Sequence, residues 1–118
     1  MRTYTTLTLR NENGITLISV LARRVYLQTV EEFREELQEV VQASQDHVLL
    51  NLEKVSVMNS AGLGLLIALH EQLQEQQRKL VITNLQPMMQ EIFSRMKLET
   101  MITTRATEEE GRQALQES

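Results

Sequence analysis

Two runs, His47-Val48-Leu49-Leu50-Asn51-Leu52 and Val57-Met58-Asn59-Ser60-Ala61-Gly62-Leu63-Gly64, decide how this chain folds. The first is short and apolar with little alternation, the pattern of a strand buried on both faces of a sheet. The second is a small polar knot, and Leu63 to Gln77 beyond it reads as an amphipathic helix. A strand, a tight turn and a helix leave the helix's first backbone N–H groups unpaired and directed at the turn, where an anion or a side-chain oxygen can satisfy them. Ser60 stands at that start.

Working outward, Leu7 and Leu9 alternate with Thr6 and Thr8, and Ile15, Leu17 and Ser19 resume after Asn11-Glu12-Asn13-Gly14. Asn-Gly between two such runs predicts a hairpin. Thr29-Val30-Glu31-Glu32 has the form of a capping box, and Val30, Phe33, Leu37, Val40 and Val41 follow at helical spacing as core. In the helix after Ser60, Leu66, Leu69 and Leu73 face inward. Leu63, Leu65 and Ile67 make its first turns apolar nearly all round, so some of them are expected to face outward. Lys79 to Asn84 reads as a further strand, Pro87 as the first turn of a third helix burying Met89, Ile92, Phe93 and Met96, and Lys97 to Ile102 as the last strand. Thr107-Glu108-Glu109-Glu110 is a second capping box, opening a short last helix. Strands separated by helices imply right-handed crossovers and a largely parallel sheet, to which the hairpin adds an antiparallel edge.

Composition narrows the function. A chain of 118 residues is one domain with room for a single core. A formal net charge of -4, with no cationic run longer than Arg23-Arg24, argues against direct nucleic-acid binding. Absence of cysteine removes disulfides and thiolate metal sites. Met1 to Thr6 lacks the apolar stretch of a signal peptide, and the longest apolar run, near Leu65 to Leu69, is too short for membrane insertion. The expectation is a cytoplasmic protein.

The run Asn51-Leu52-Glu53-Lys54-Val55-Ser56-Val57-Met58-Asn59-Ser60-Ala61-Gly62-Leu63-Gly64 resembles the signature of STAS domains, in particular the bacterial anti-sigma factor antagonists, which reads roughly N/D-L-x-x-V-x-F-M-D-S-S/T-G-L-G. The likeness continues through the Lys79–Asn84 strand, the Gln86-Pro87 to Met96 helix and Lys97 to Ile102. It implies an α/β fold in which residues 1–118 form a single STAS-like domain, a mixed, mostly parallel sheet with an antiparallel N-terminal edge hairpin and about four helices mainly on one side. It further implies a protein that binds an anti-sigma factor, a serine kinase of the GHKL type, and frees a sigma factor. Ser60 is then the phosphorylated residue, and Asn59, Ala61, Gly62, Leu63, Gly64, Arg23 and Arg24 fall at the partner-binding face. An alternative is a non-switching STAS subunit of another cytoplasmic assembly, such as a lipid-transport ABC complex.

Each residue also has a plainer reading. A serine at a strand-to-helix junction is ordinarily an N-cap. Gly62 and Gly64 either permit close helix packing or clear room for a partner's backbone. Met88, Met89 and Met96 read as core, and the glutamates as solvated helix faces. His47 and His70 lack a second ligand at metal spacing. No cofactor is called for, and no enzyme: Ser60 is not in a G-x-S-x-G turn, there is no phosphate-binding loop to favour nucleotide binding, and Gly62-Leu63-Gly64 lacks the third glycine of a dinucleotide fingerprint. The chain departs from the family pattern in three places. Asn59 stands for the common aspartate and Ala61 for the second Ser or Thr. Arg23-Arg24-Val25-Tyr26 replaces a G-x-L-D corner.

Overall fold

The computed structural model describes residues 3–117; Met1 and Arg2, which open the segment read for a signal peptide, and Ser118 lie outside the described residues. Strands β1 (Leu7–Glu12) and β2 (Ile15–Val20) form the expected hairpin. Asn13 and Gly14 both have positive φ, 50° and 79°, which is the turn that matches the twist of a two-residue hairpin. Strands β4 (His47–Asn51), β6 (Leu80–Thr83) and β7 (Thr103–Arg105) complete a five-stranded sheet in the order β1-β2-β4-β6-β7. Only β1 and β2 pair antiparallel; β2-β4, β4-β6 and β6-β7 pair parallel. Two short strands not foreseen in the sequence, β3 (Arg24–Val25) and β5 (Val57–Met58), pair parallel with each other, Arg24 opposite Val57 and Val25 opposite Met58.

Helices α1 (Gln28–Gln42), α2 (Ser60–Glu75) and α3 (Pro87–Arg95) supply Phe33, Leu37, Leu66, Leu69, Leu73, Met89 and Phe93 to one large core. Burial of each such side chain favours folding by about 1.5–3 kcal/mol. The last helix, α4 (Glu108–Gln116), lies on the other face, where Leu115 meets Ile15, Leu17, Leu49 and Val81. This division explains β4. Val48 and Leu50 join the large core and Leu49 the small one, so the strand is apolar on both faces.

Several local expectations are corrected. Thr29 does not cap α1; the helix starts at Gln28, two residues earlier than a Thr29 cap would set it, after Leu27 at φ 54°, with no side-chain cap. Lys97 to Ile102 is not a strand: Lys97 leaves α3 at φ 58°, Leu98–Thr100 form a 3-10 turn, and β7 begins at Thr103. Leu98 and Ile102 are buried one turn apart, which satisfies their hydrophobicity without extended backbone. Met88 and Met96 are exposed, and only Met89 of the three methionines is core. Thr107 does cap α4, its Oγ1 accepting from Glu110 N at 3.1 Å, but the returning carboxylate of Glu110 accepts from Ala106 N at 3.3 Å and not from Thr107 N, so the box is only half formed.

Two glutamates depart from the solvated role. The buried Glu36 carboxylate on α1 accepts from Thr5 N at 2.9 Å, Thr6 N at 2.8 Å, Thr5 Oγ1 at 3.0 Å and Thr6 Oγ1 at 2.6 Å, fixing the segment that leads into β1. Burial alone would raise its pKa, but these bonds outweigh it and hold the carboxyl below its ordinary value. Glu108 accepts from Asn51 Nδ2 and Arg10 Nη2, both at 2.8 Å, and lies 3.5 Å from Arg112, tying α4 to the sheet. It too is held below its ordinary value, burial being outweighed by those bonds and the two cations.

Candidate functional site

Strand β5 and the residues flanking it are held by the backbone of Arg23 and Val25. Ser56 N and Ser56 Oγ donate to Arg23 O at 2.8 and 3.0 Å, and Asn59 N donates to Val25 O at 3.0 Å. The chain then turns into α2. Asn59, extended at φ -79° and ψ 178°, is the N-cap, and its Oδ1 accepts from Gly62 N at 2.9 Å. Ser60 is therefore the first helical residue and not the cap. It is exposed, and no hydrogen bond to its hydroxyl occurs among the described residues. At this helix end the N–H groups of Ser60 and Ala61 have no intrahelical acceptor.

The surroundings sort the expected site residues into two groups. Asn59, Ser60, Ala61 and Gly64 are exposed, as are Arg23 and Arg24. Gly62 and Leu63 are buried, and so is Leu65, so of Leu63, Leu65 and Ile67, some of which were expected to face outward, only Ile67 is partly exposed. The apolar surface at this corner comes instead from Tyr26, Leu27 and Val57, which were not among the expected site residues. Arg24, Tyr26, Val57 and Asn59 line a mainly apolar groove of about 360 Å³, and Leu27 beside it is 78% exposed. Leu27 is exposed and at positive φ, and the signal in the sequence is the Tyr26-Leu27 pair, apolar residues ahead of the helix and outside its inward stripe. On the other side of the β3-β5 pair, Arg23, Glu53, Lys54, Ser56 and Gln86 line a polar depression of about 340 Å³.

The STAS domain family model matches residues 6–111. The chain belongs to that family. An anti-sigma factor antagonist from Mycobacterium paratuberculosis superposes on this STAS domain with a TM-score of 0.84, covering 95% of this chain and 94% of that one at 18% identity. An anti-sigma-factor antagonist (STAS) domain protein from Planctomyces limnophilus gives 0.82 over 92% and 96%, at 22% identity. The Bacillus cell fate determinant SpoIIAA, in its phosphorylated form, gives 0.68 over 92% and 98%, at 20% identity. At such identities the likeness establishes a common fold.

Elsewhere in this STAS domain, His47 Nδ1 accepts from Lys79 N at 3.0 Å. No group of three or more His, Cys, Asp or Glu that could hold a metal occurs among the described residues. No helix among them is long and apolar enough to cross a membrane. The chemistry available at the start of α2 is that of an accessible hydroxyl beside free helix N–H groups, with no general base in the groove that adjoins it.

Proposed function

We propose that this STAS domain is an anti-sigma factor antagonist, cytoplasmic, which binds an anti-sigma factor serine kinase of the GHKL type, frees a sigma factor, and is switched off by phosphorylation of Ser60. The observation that carries this reading is the division of labour at the start of α2. Asn59 Oδ1 satisfies Gly62 N, so the exposed Ser60 hydroxyl is not needed for capping. A hydroxyl committed to a cap would be withheld from a kinase; this one is available.

The surface around it fits a regulated protein contact. Arg23 and Arg24 give this corner a positive balance on a chain of net charge -4, which favours an acidic patch on the partner. Tyr26 and Leu27 add apolar area, the part of an interface that loses water on binding. Asn59, Ala61 and Gly64 present little bulk beside Ser60, while Gly62 and Leu63 act from within by seating the helix. Phosphorylation adds roughly -1.5 to -2 charges. In the free protein the start of α2 stabilises that anion by about 0.3–1 kcal/mol. Pressed against a partner and desolvated, the same group costs several kcal/mol, so the modified form is released.

The test is incubation with the cognate kinase and ATP, followed by intact-mass measurement and peptide mapping. One phosphate on Ser60 is the expected result. No phosphate, or phosphate on Ser56 instead, would overturn the switch and favour a non-switching subunit of another assembly.

A further inference from the structure

The five-stranded sheet has two edges, β1 and β7, and they are finished differently. Edge β7 is three residues long, and Arg105 closes it. Asn84 N donates to Arg105 O, so the carbonyl of Thr104 points away from the sheet, where Arg105 Nη1 donates to it at 2.8 Å. Edge β1 has six residues, with no proline and no bulge in its pairing to β2. Leu21 N donates to Thr6 O at 2.7 Å; by alternation the backbone groups of Thr8, Arg10 and Glu12 face β2 and those of Leu7, Leu9 and Asn11 face outward. Among the described residues no side chain and no other element bonds to the backbone of those three. A row of unpaired N–H and C=O groups on a straight edge is a template for a further strand.

Leu9 adds a side chain to that template. It projects from the same face as Leu7, which belongs to the large core, yet it is 38% exposed. We propose that β1 pairs antiparallel with β1 of a second copy of this chain about a two-fold axis, Leu9 opposite Leu9. In that register Leu7 pairs with Asn11, every outward group meets an outward group, and Arg10 falls opposite Thr8.

The strand's own residues select this register over its neighbours. Pairing Leu9 with Asn11 sets Arg10 directly against Arg10, and like charges opposite each other are destabilising. Pairing Leu9 with Leu7 sets Asn11 against Thr5, whose N–H is already held by the Glu36 carboxylate at 2.9 Å. With Leu9 on the axis, the two Arg10 side chains are only diagonal neighbours, and each is met within its own chain by Glu108 at 2.8 Å and Glu12 at 3.9 Å. The pairing is isologous, so it closes at two copies and leaves neither β1 free. It is small, which makes the dimer weak, and it uses none of residues 23–26 or 59–64, the segments assigned to the phosphorylation switch.

The test is sedimentation equilibrium of the full chain from low micromolar to about 1 mM, with amide hydrogen exchange at both ends of that range. A monomer–dimer equilibrium is expected, and the Leu9 and Asn11 amides, which exchange freely in dilute solution, should slow as the dimer forms. Leu9→Pro removes an outward donor and spares the bonds to β2, a position where an edge strand tolerates proline. Leu9→Lys sets two ammonium groups against each other on the axis and keeps the fold if the proline variant does not. Either variant should weaken dimerisation by about tenfold or more. A chain that stays monomeric at the highest concentration, a dimer that survives both substitutions, or one that forms while Leu9 and Asn11 still exchange freely would overturn the pairing.

Discussion

Gly62 and Gly64 lie two residues apart on α2 in opposite surroundings. A Cβ on Gly62 would sit 2.4 Å from Met58 Cγ and 3.2 Å from Val25 Cγ1, whereas one on Gly64 would meet nothing within 4 Å. The first glycine therefore lets α2 close onto the β3-β5 pair, and the fold does not need the second. Gly62→Ala should destabilise the protein by about 1–3 kcal/mol through overpacking. Gly64→Ala should raise stability by about 0.5–1 kcal/mol, because alanine loses less backbone freedom in a helix. It should also bind the anti-sigma factor more weakly if a partner backbone approaches there; unchanged affinity, measured beside thermal melting of both variants, would remove Gly64 from the interface. The sequence marks both glycines equally. What distinguishes them is where Met58 and Val25 lie, and that follows from a strand pairing between residues more than thirty positions apart.

Elements with strong periodicity were readable in advance: the hairpin, the doubly buried β4, the inward stripes of α1 and α2, and the Thr107 cap all announce themselves locally. The misread elements are those set by distant partners. Thr29 looks like a cap, yet the chain leaving β3 turns at Leu27 and starts the helix before Thr29 is reached. Thr103-Thr104-Arg105 is an edge strand with no apolar residue to reveal it, so the apolar residues just before it, Leu98 and Ile102, drew the expectation away. Glu36 reads as solvent-facing because its four donors lie some thirty residues upstream. Its role is testable by pH. A carboxyl whose folded pKa is depressed contributes stability above its unfolded value, 4.5, and loses it as pH falls through the lower folded value. Glu36→Gln should thus cost about 1.5–3 kcal/mol at pH 7, and denaturant unfolding should show the gap to wild type closing as the pH is taken below 4.5. Because the titration of Glu108 is common to both proteins, it cancels in that difference; a gap independent of pH would contradict the clamp.

Across the whole molecule, parallel pairing of β3 with β5 has a larger consequence than its length suggests. Each strand is followed within three residues by a helix, α1 from Gln28 and α2 from Ser60, so both helix N-termini, the Arg23-Arg24 corner and the Tyr26-Leu27 pair share one end of the fold. Opposite that arrangement, α4 covers the far face of the sheet through Leu115. The motif around Ser60 and the cationic pair are visible in the sequence; their union with Tyr26 and Leu27 is not, because it depends on which strands pair. The central claim is that one phosphate at this end abolishes partner binding. Shifting a partner from about 99% to about 1% bound requires roughly 5.5 kcal/mol, which a single group supplies only from inside the contact. The deciding measurement is the Kd of the anti-sigma factor for the unmodified protein, for the Ser60-phosphorylated protein and for Ser60→Ala treated with kinase and ATP. The account predicts a loss of about 10³–10⁴-fold on phosphorylation and none for Ser60→Ala; equal affinity for the unmodified and phosphorylated forms would contradict it.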